Sequence, residues 1–227
     1  MYDVCLYGHV TMDTIISKDS TDCTVGSIGN LWRMFSKINP SLKIGIEATD
    51  FGEALILVDK KTLRRSSVAN LSIHNRKPTI QSSKWHHILY VNELTDPSFI
   101  NTINNGIVSV DFCRGKELKN LDILSNVDFV FISDEDVFMD LNKMSEMVRQ
   151  GVILHKADGS EYYFNGEKRL ERKAEIVDNI NVLGCGDMFA SVFIYNELLN
   201  ADIARSLESS HQYMTDYLKE AKHEQEI

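Results

Sequence analysis

Gly184-Cys185-Gly186-Asp187 stands directly before the apolar residues Met188, Phe189, Ala190, Val192, Phe193 and Ile194. That run predicts a helix whose first N–H groups come from the glycine segment. These groups lack intrahelical acceptors and lie at the positive end of the helix dipole, and glycines let an anion come close to the main chain. An aspartate at the same place can take the proton of a substrate hydroxyl while the amides stabilise charge on a transferring phosphoryl group. The chemistry indicated is phosphoryl transfer. The competing reading is a glycine turn in which Asp187 serves only as a helix cap.

Other reactive side chains carry weaker signals. Cys185 fills a small-residue position at the helix start, where a thiol pKa can be lowered. His86 and His87 are adjacent, hence on opposite faces of a strand, and no third ligand has metal spacing to them, so both are read as structural or exposed. Lys60, Lys61, Arg64 and Arg65 could meet a phosphate on the substrate, although such a cluster is usually a solvated face. Trp32 and Met34 are read as helix packing, and of Tyr162 and Tyr163 one is expected in the core and the other in solvent.

These residues belong to a chain of 227 residues with 43% hydrophobic and 25% charged side chains, the balance of a folded globular protein. Acidic residues number 33 against 24 basic, a net charge of -9, so a nucleic-acid surface would work against the protein's own field. Apolar stretches such as 129–132 are far short of the roughly 18 residues that span a bilayer, and no basic head precedes the first apolar segment. A cytoplasmic protein with no membrane or nucleic-acid partner is expected. Cys5, Cys23, Cys113 and Cys185 form no C-x-x-C pair, and reduced thiols are the default.

The elements that must hold the site follow from periodicity. A short strand 3–8 precedes a helix 29–38, whose Leu31, Met34, Phe35 and Ile38 are spaced helically. Short β-type runs follow at 43–47, 54–58 and 68–73. From His87 onward strands (88–91, 107–112, 129–132, 152–155) alternate with helical stretches after Pro97, near 116–124 and near 137–150, the rhythm of crossover units in a mostly parallel sheet. A hairpin at 161–168 turns at Asn165-Gly166, and helices 188–199 and 203–222 close the chain.

The order of these segments resembles the ribokinase family of sugar and nucleoside kinases, also called the phosphofructokinase B type, over nearly the whole length. Gly184-Cys185-Gly186-Asp187 is similar to that family's G-A-G-D motif. Gly8-His9-Val10-Thr11-Met12-Asp13 resembles its first strand and substrate aspartate. Val25-Gly26-Ser27-Ile28-Gly29-Asn30 resembles its double-glycine sugar segment, with Val25 at the first glycine. Ile44-Gly45 with Asp50-Phe51-Gly52 looks like its G-x-D-x-x-G stretch, Val110-Asp111-Phe112 like its mid-sheet strand, and 152–160 stands where its nucleotide loop stands.

The resemblance implies a three-layer α/β/α sandwich with a mostly parallel central sheet and a small, reduced β lid, the whole chain 1–227 forming one domain and the lid drawn from parts of 10–25 and 55–83. It implies an ATP-dependent carbohydrate kinase that uses Mg2+ and acts on a small sugar or polyol. Asp187 is implied as catalytic base with the Gly184, Cys185 and Gly186 amides as anion hole, and Asp13, Gly26 and Asn30 as substrate contacts. Ser133, Asp136, Asp158 and Gly159 are implied on the cofactor side. The chain departs from the family pattern at Ser133 and Asp136 (family Asn and Glu), at Asn181-Val182-Leu183 (family D-T-T), and at Leu154 and Lys156. A catalytically impaired protein of this fold with a binding or regulatory role is the alternative. A homodimer through the lid and a monomer both stay open.

Overall fold

The computed structural model describes residues 1–17, 20–59, 65–72, 76–112, 121–136, 139–178, 180 and 182–226. Its strands are β1 (Tyr2–Ile16), β2 (Thr21–Val25), β3 (Ile44–Val58), β4 (Arg65–Ser72), β5 (Ser83–Leu89), β6 (Ile107–Asp111), β7 (Phe129–Ser133), β8 (Gly151–Lys156), β9 (Gly159–Phe164) and β10 (Glu167–Lys173). Its helices are α1 (Gly26–Ile38), α2 (Leu141–Met147), α3 (Cys185–Leu198) and α4 (Ile203–Glu226). The strands form one sheet in the order β10-β9-β8-β7-β6-β5-β1-β3-β4, with β2 paired to β1. The six strands from β8 through β3 are mutually parallel, and the outer strands and β2 are antiparallel.

Both faces of the parallel part are buried, which is why its strands read as continuous apolar runs. Alternate residues feed two cores. Val4, Leu6, Phe129, Phe131 and Ile153 pack with Ile28, Leu31 and Phe35 of α1 and Phe189 and Phe193 of α3. Cys5, Tyr7, Val130, Ile132, Val152 and Leu154 pack on the other face with Phe99 and Ile100 of a 3₁₀ turn (Pro97–Thr102), Ile123 and Leu124, and Leu141 and Met144 of α2. This is the three-layer sandwich expected. The helix α3 is buried all round from Asp187 to Ile194 because the sheet, α1 and α4 enclose it.

Several sequence expectations change in detail. The opening strand does not end at Gly8; β1 continues to Ile16, because a bulge between Gly8 and His9 shifts its register against β3 without breaking the pairing. The runs at 43–47 and 54–58 are parts of the single strand β3, and Val68 lies in β4. Beyond the bulge, β2, β1, β3 and β4 lie side by side as an extension of the sheet, made from the ends of β1 and β3. The expected helices after Pro97 and near 137–150 are shorter, a 3₁₀ turn and a two-turn helix, while 113–120 and Lys60, Lys61 and Arg64 lie outside the described residues, as does the Arg65 side chain. Asn165 and Gly166 turn the β9–β10 hairpin with φ of 51° and 79°, as their types require. His86 and His87 do point to opposite faces and are buried, bonded to Tyr7 and Ser109. Trp32 is 49% exposed, so it does not pack as Met34 does. Tyr162 and Tyr163 are both half-buried, one against each core. No helix among the described residues is long and apolar enough to cross a membrane.

Candidate active site

The parallel strands β1, β5, β6, β7 and β8 end on one edge, where ligands of open α/β sheets bind. Gly184, with φ of 80°, lets the chain turn into α3 at this edge; any other residue would be strained there. Asp187 falls in the first turn of α3 and is 9% exposed. The Asn30 side-chain amide, from α1, donates to Asp187 Oδ2 at 2.8 Å. An added Cβ at Gly184 would stand 3.2 Å from Asn30 Nδ2 and 3.9 Å from Asp187 Oδ2, so the glycine, the amide and the carboxylate converge.

The residues expected on the substrate side lie about the start of α1. A Cβ at Gly26 would overlap Thr11 Oγ1, so the helix start abuts β1 directly. Asp13 lies two residues beyond Thr11, on the same face of β1, half-buried between Thr24 of β2 and Ala54 of β3. Asn30 is one helical turn beyond Gly26. The start of α1 thus meets β1 at Thr11, two residues before Asp13, and one turn later reaches Gly184 and Asp187 through Asn30.

The amides of the glycine segment are not equivalent. The Cys185 N–H donates to Val182 O at 3.1 Å, closing the turn before the helix. The Gly184 and Gly186 N–H groups have no partner among the described residues. An anion can therefore draw on Gly184 and Gly186, and the expected three-amide hole loses the Cys185 donor to that turn.

On the side where the cofactor is expected, Ser133 ends β7 beside His155 of β8, and a Cβ at Gly186 would stand 3.1 Å from His155 Cε1. Ser133 thus lies one strand from the α3 start, with half-buried Asp136 three residues on in a 3₁₀ turn. Asp158 and Gly159 follow the end of β8, beyond His155 on the same edge. Asp158 lies in the turn of the β8–β9 hairpin, 63% exposed and 3.8 Å from Lys156 Nζ, and Gly159 opens β9 opposite Lys156. A Cβ at Gly159 would run into the Arg172 carbonyl oxygen, so strand packing alone accounts for that glycine.

His155 was not singled out in the sequence, although a histidine ending an apolar strand sits where this fold places its chemistry. Its ring packs on Phe189, which also meets His211, with ring centres 5.7 and 5.0 Å apart. Burial pushes the His155 imidazole down to about 4, with a smaller contribution from His211 nearby, so it is neutral at physiological pH. A second unforeseen group joins β1 and β3: His9 Nδ1 lies 3.1 Å from Asp50 Oδ2 and 3.3 Å from Thr49 Oγ1. His9 stacks on Tyr90, whose hydroxyl donates to Ser27 of α1 at 2.8 Å.

Partnerless glycine amides at a helix start, beside a nearly buried carboxylate, suit a phosphate-bearing ligand such as ATP. Among the described residues no three His, Cys, Asp or Glu side chains converge to hold a metal unaided. Ser133 and Asp136 offer a sparse oxygen set, the kind Mg2+ accepts when phosphate oxygens and waters complete its shell.

No family model and no curated protein matches the sequence. Solved structures do match. A nucleoside kinase of Methanocaldococcus jannaschii, an archaeal member of the ribokinase family, is 14% identical with a TM-score of 0.72, over 96% of this chain and 92% of that one. The ribokinase of Thermotoga maritima is 15% identical with a TM-score of 0.73, over 91% and 89%. An Escherichia coli protein of the ribokinase II type, solved with ATP and Mg2+, is 14% identical with a TM-score of 0.70, over 93% and 91%. Over almost its entire length, the chain has the fold of the ribokinase-family sugar and nucleoside kinases.

Proposed function

We propose that this protein is an ATP-dependent phosphotransferase that moves the γ-phosphate to a hydroxyl of a small sugar or sugar derivative. The observation that carries this reading is the pairing of Asp187 with Asn30 at 2.8 Å in the first turn of α3, on the edge where the parallel strands end. Asp187 takes the proton of the acceptor hydroxyl as its oxygen attacks, and Asn30 holds the carboxylate in position through Oδ2. The Gly184 and Gly186 amides stabilise charge on the phosphoryl group in transit. Asp13 and the start of α1 at Gly26 hold the remaining acceptor hydroxyls. Ser133 and Asp136 would hold the Mg2+ that accompanies ATP, which would neutralise charge on the phosphates during transfer of the γ-phosphate.

The same reading makes the extension β2-β1-β3-β4 a reduced lid on one domain in the cytoplasm, with the Asp13 face toward the substrate. Met12, Ile16, Leu55, Leu57 and Val68 lie on its other face and are 39–75% exposed. An apolar face of this kind on a soluble chain suits pairing with a second copy, and we include a lid-to-lid homodimer in the proposal.

One observation favours a second reading. The Cys185 amide is spent on Val182, which suits a protein of this fold that binds ligands without turnover. Melting of the protein with ATP and Mg2+ against a panel of sugars and nucleosides, with ATP consumption measured in the same mixtures, separates the two. A sugar that raises the Tm and drives ATP consumption upholds the kinase. Binding without consumption across the panel replaces it with the binding protein.

A further inference from the structure

Tyr90 follows β5 at the edge where the parallel strands end, and it is held in the left-handed region with φ of 57°. The other non-glycine residues of positive φ among the described residues are Asn165 in the β9–β10 turn and Asn200 just past α3. Asparagine tolerates that conformation, whereas a tyrosine keeps it only where its surroundings impose it, as they do at many functional sites. Contacts on two sides hold it here. The Tyr90 hydroxyl donates to Ser27 Oγ of α1 at 2.8 Å, and the ring stacks on His9 with centres 5.7 Å apart and planes inclined by 27°.

His9 is fixed in turn at the root of the strand extension. The bulge leaves Thr49 of β3 with no opposite residue on β1, and the His9 ring, 2% exposed, turns Nδ1 to within 3.1 Å of Asp50 Oδ2 and 3.3 Å of Thr49 Oγ1. β1 is paired with β5 only as far as Tyr7, opposite Ile88, so past that point the His9–Tyr90 stack carries the extension against the end of β5. On the other arm Ser27 follows Gly26 and stands three residues before Asn30, which donates to Asp187 Oδ2 at 2.8 Å. Tyr90 is where the two arms meet.

We infer that Tyr90 is a positioning residue, which joins the start of α1 to the root of the strand extension so that Asp13 on β1 and Gly26 and Asn30 on α1 stand in fixed relation before the acceptor binds. This rests on the kinase reading above. A site ordered in advance spends less of its binding energy on arranging itself, so the joint acts on use of the acceptor. Its reach does not extend to the nucleotide side, because Ser133 and Asp136 belong to β7 and the turn after it, with β6 between them and the end of β5.

Tyr90→Phe keeps the ring and removes the bond to Ser27. In the full chain without ligand, hydrogen exchange read by mass spectrometry is expected to quicken at least about threefold in residues 9–16 of β1 and 30–34 of α1, and to stay at the parental rate in β7 and β8. The Tm should fall by no more than about 4 °C. Ser27→Ala removes the same bond from its other end, so the double variant should be no worse than either single one. With ATP, Mg2+ and an acceptor found in the sugar and nucleoside panel, kcat/KM for the acceptor should fall by up to about tenfold in Tyr90→Phe, the worth of one hydrogen bond, while KM for ATP stays as it was. Exchange that is unchanged in those two segments, exchange that quickens equally throughout the chain, or single effects that add in the double variant overturns the assignment. ATP consumption separates it from the kinase reading. Quickened exchange confined to the two segments, in a protein that consumes no ATP with any sugar or nucleoside, keeps the joint and removes the kinase. Turnover of an acceptor at parental kcat/KM in Tyr90→Phe keeps the kinase and removes the positioning role.

Discussion

Asn30 donates its side-chain amide to Asp187 across 2.8 Å, joining the second turn of α1 to the first turn of α3 at the edge where the parallel strands end. The bond fixes one carboxylate oxygen and so fixes where the other points. Asp187→Asn keeps the shape of the side chain and removes its basicity. It should lower turnover by about 10² to 10⁴ with little change in Tm, the usual worth of a positioned base. Asn30→Ala should cost less, about tenfold in turnover, because it loosens the carboxylate without removing it. Steady-state rates with a confirmed acceptor decide the matter, and an Asp187→Asn enzyme at near-parental rate would take Asp187 out of the mechanism.

Gly186 separates the anion-facing main chain from the His155 ring. A Cβ there would stand 3.1 Å from His155 Cε1, close enough that the ring must shift. Gly186→Ala should therefore weaken ATP binding or turnover by about one order of magnitude, through displacement of the α3 start. Adding His155→Ala removes the obstacle. Recovery in the double variant attributes the loss to crowding, whereas no recovery attributes it to the methyl group meeting the phosphates. A Gly186→Ala protein with unaltered ATP affinity and rate would show that nothing approaches the main chain at this point.

Much of this arrangement was legible in the residues. The α3 start follows from a glycine segment against an apolar run, and the β9–β10 turn from Asn165-Gly166, because both depend on local backbone preference. What was hidden depends on pairing between distant segments. Gly8 reads as a strand end, yet β1 runs on to Ile16 because β2 and β3 flank its second half. For the same reason β3 runs unbroken through Thr49-Asp50-Phe51-Gly52, a stretch that reads as a turn. Asp158-Gly159 reads as part of a nucleotide loop, and the sequence gives no sign that packing also calls for the glycine. Its glycine is required by the nearby Arg172 carbonyl of β10, a neighbour thirteen residues away whose approach no local pattern announces.

The apolar face of the strand extension makes oligomeric state measurable. Ile16 pairs with Leu57, and Leu55 pairs with Val68, so four exposed aliphatic side chains share one surface. Leu55→Glu with Val68→Glu should convert a dimer to a monomer in sedimentation velocity at micromolar concentration, because two carboxylates per subunit would have to be desolvated in the interface. The fold should survive, since both side chains already face solvent. A parent protein that sediments as a monomer throughout that range would refute the dimer.

His211 gives the stability a pH dependence of predictable sign. It is 9% exposed, its Nε2 has no hydrogen-bond partner among the described residues, its ring meets Phe189, and burial pushes its pKa down to about 4. An unfolded imidazole titrates near about 6.5. Between these values the unfolded chain holds a proton that the native one does not, so stability is complete above about pH 6.5 and falls as the pH drops toward 4. His87 and His155, pushed down to about 3 and about 4 by burial, add to the same slope. His211→Phe should flatten the dependence by up to one proton's worth, at most about 1.4 kcal/mol per pH unit. At pH 7 it should be at least as stable as the parent, since an aromatic ring is kept and an unsatisfied nitrogen removed. Urea unfolding at pH 7 and pH 5 reads both effects. Parallel losses in parent and variant would mean that His211 already carries its proton in the folded protein.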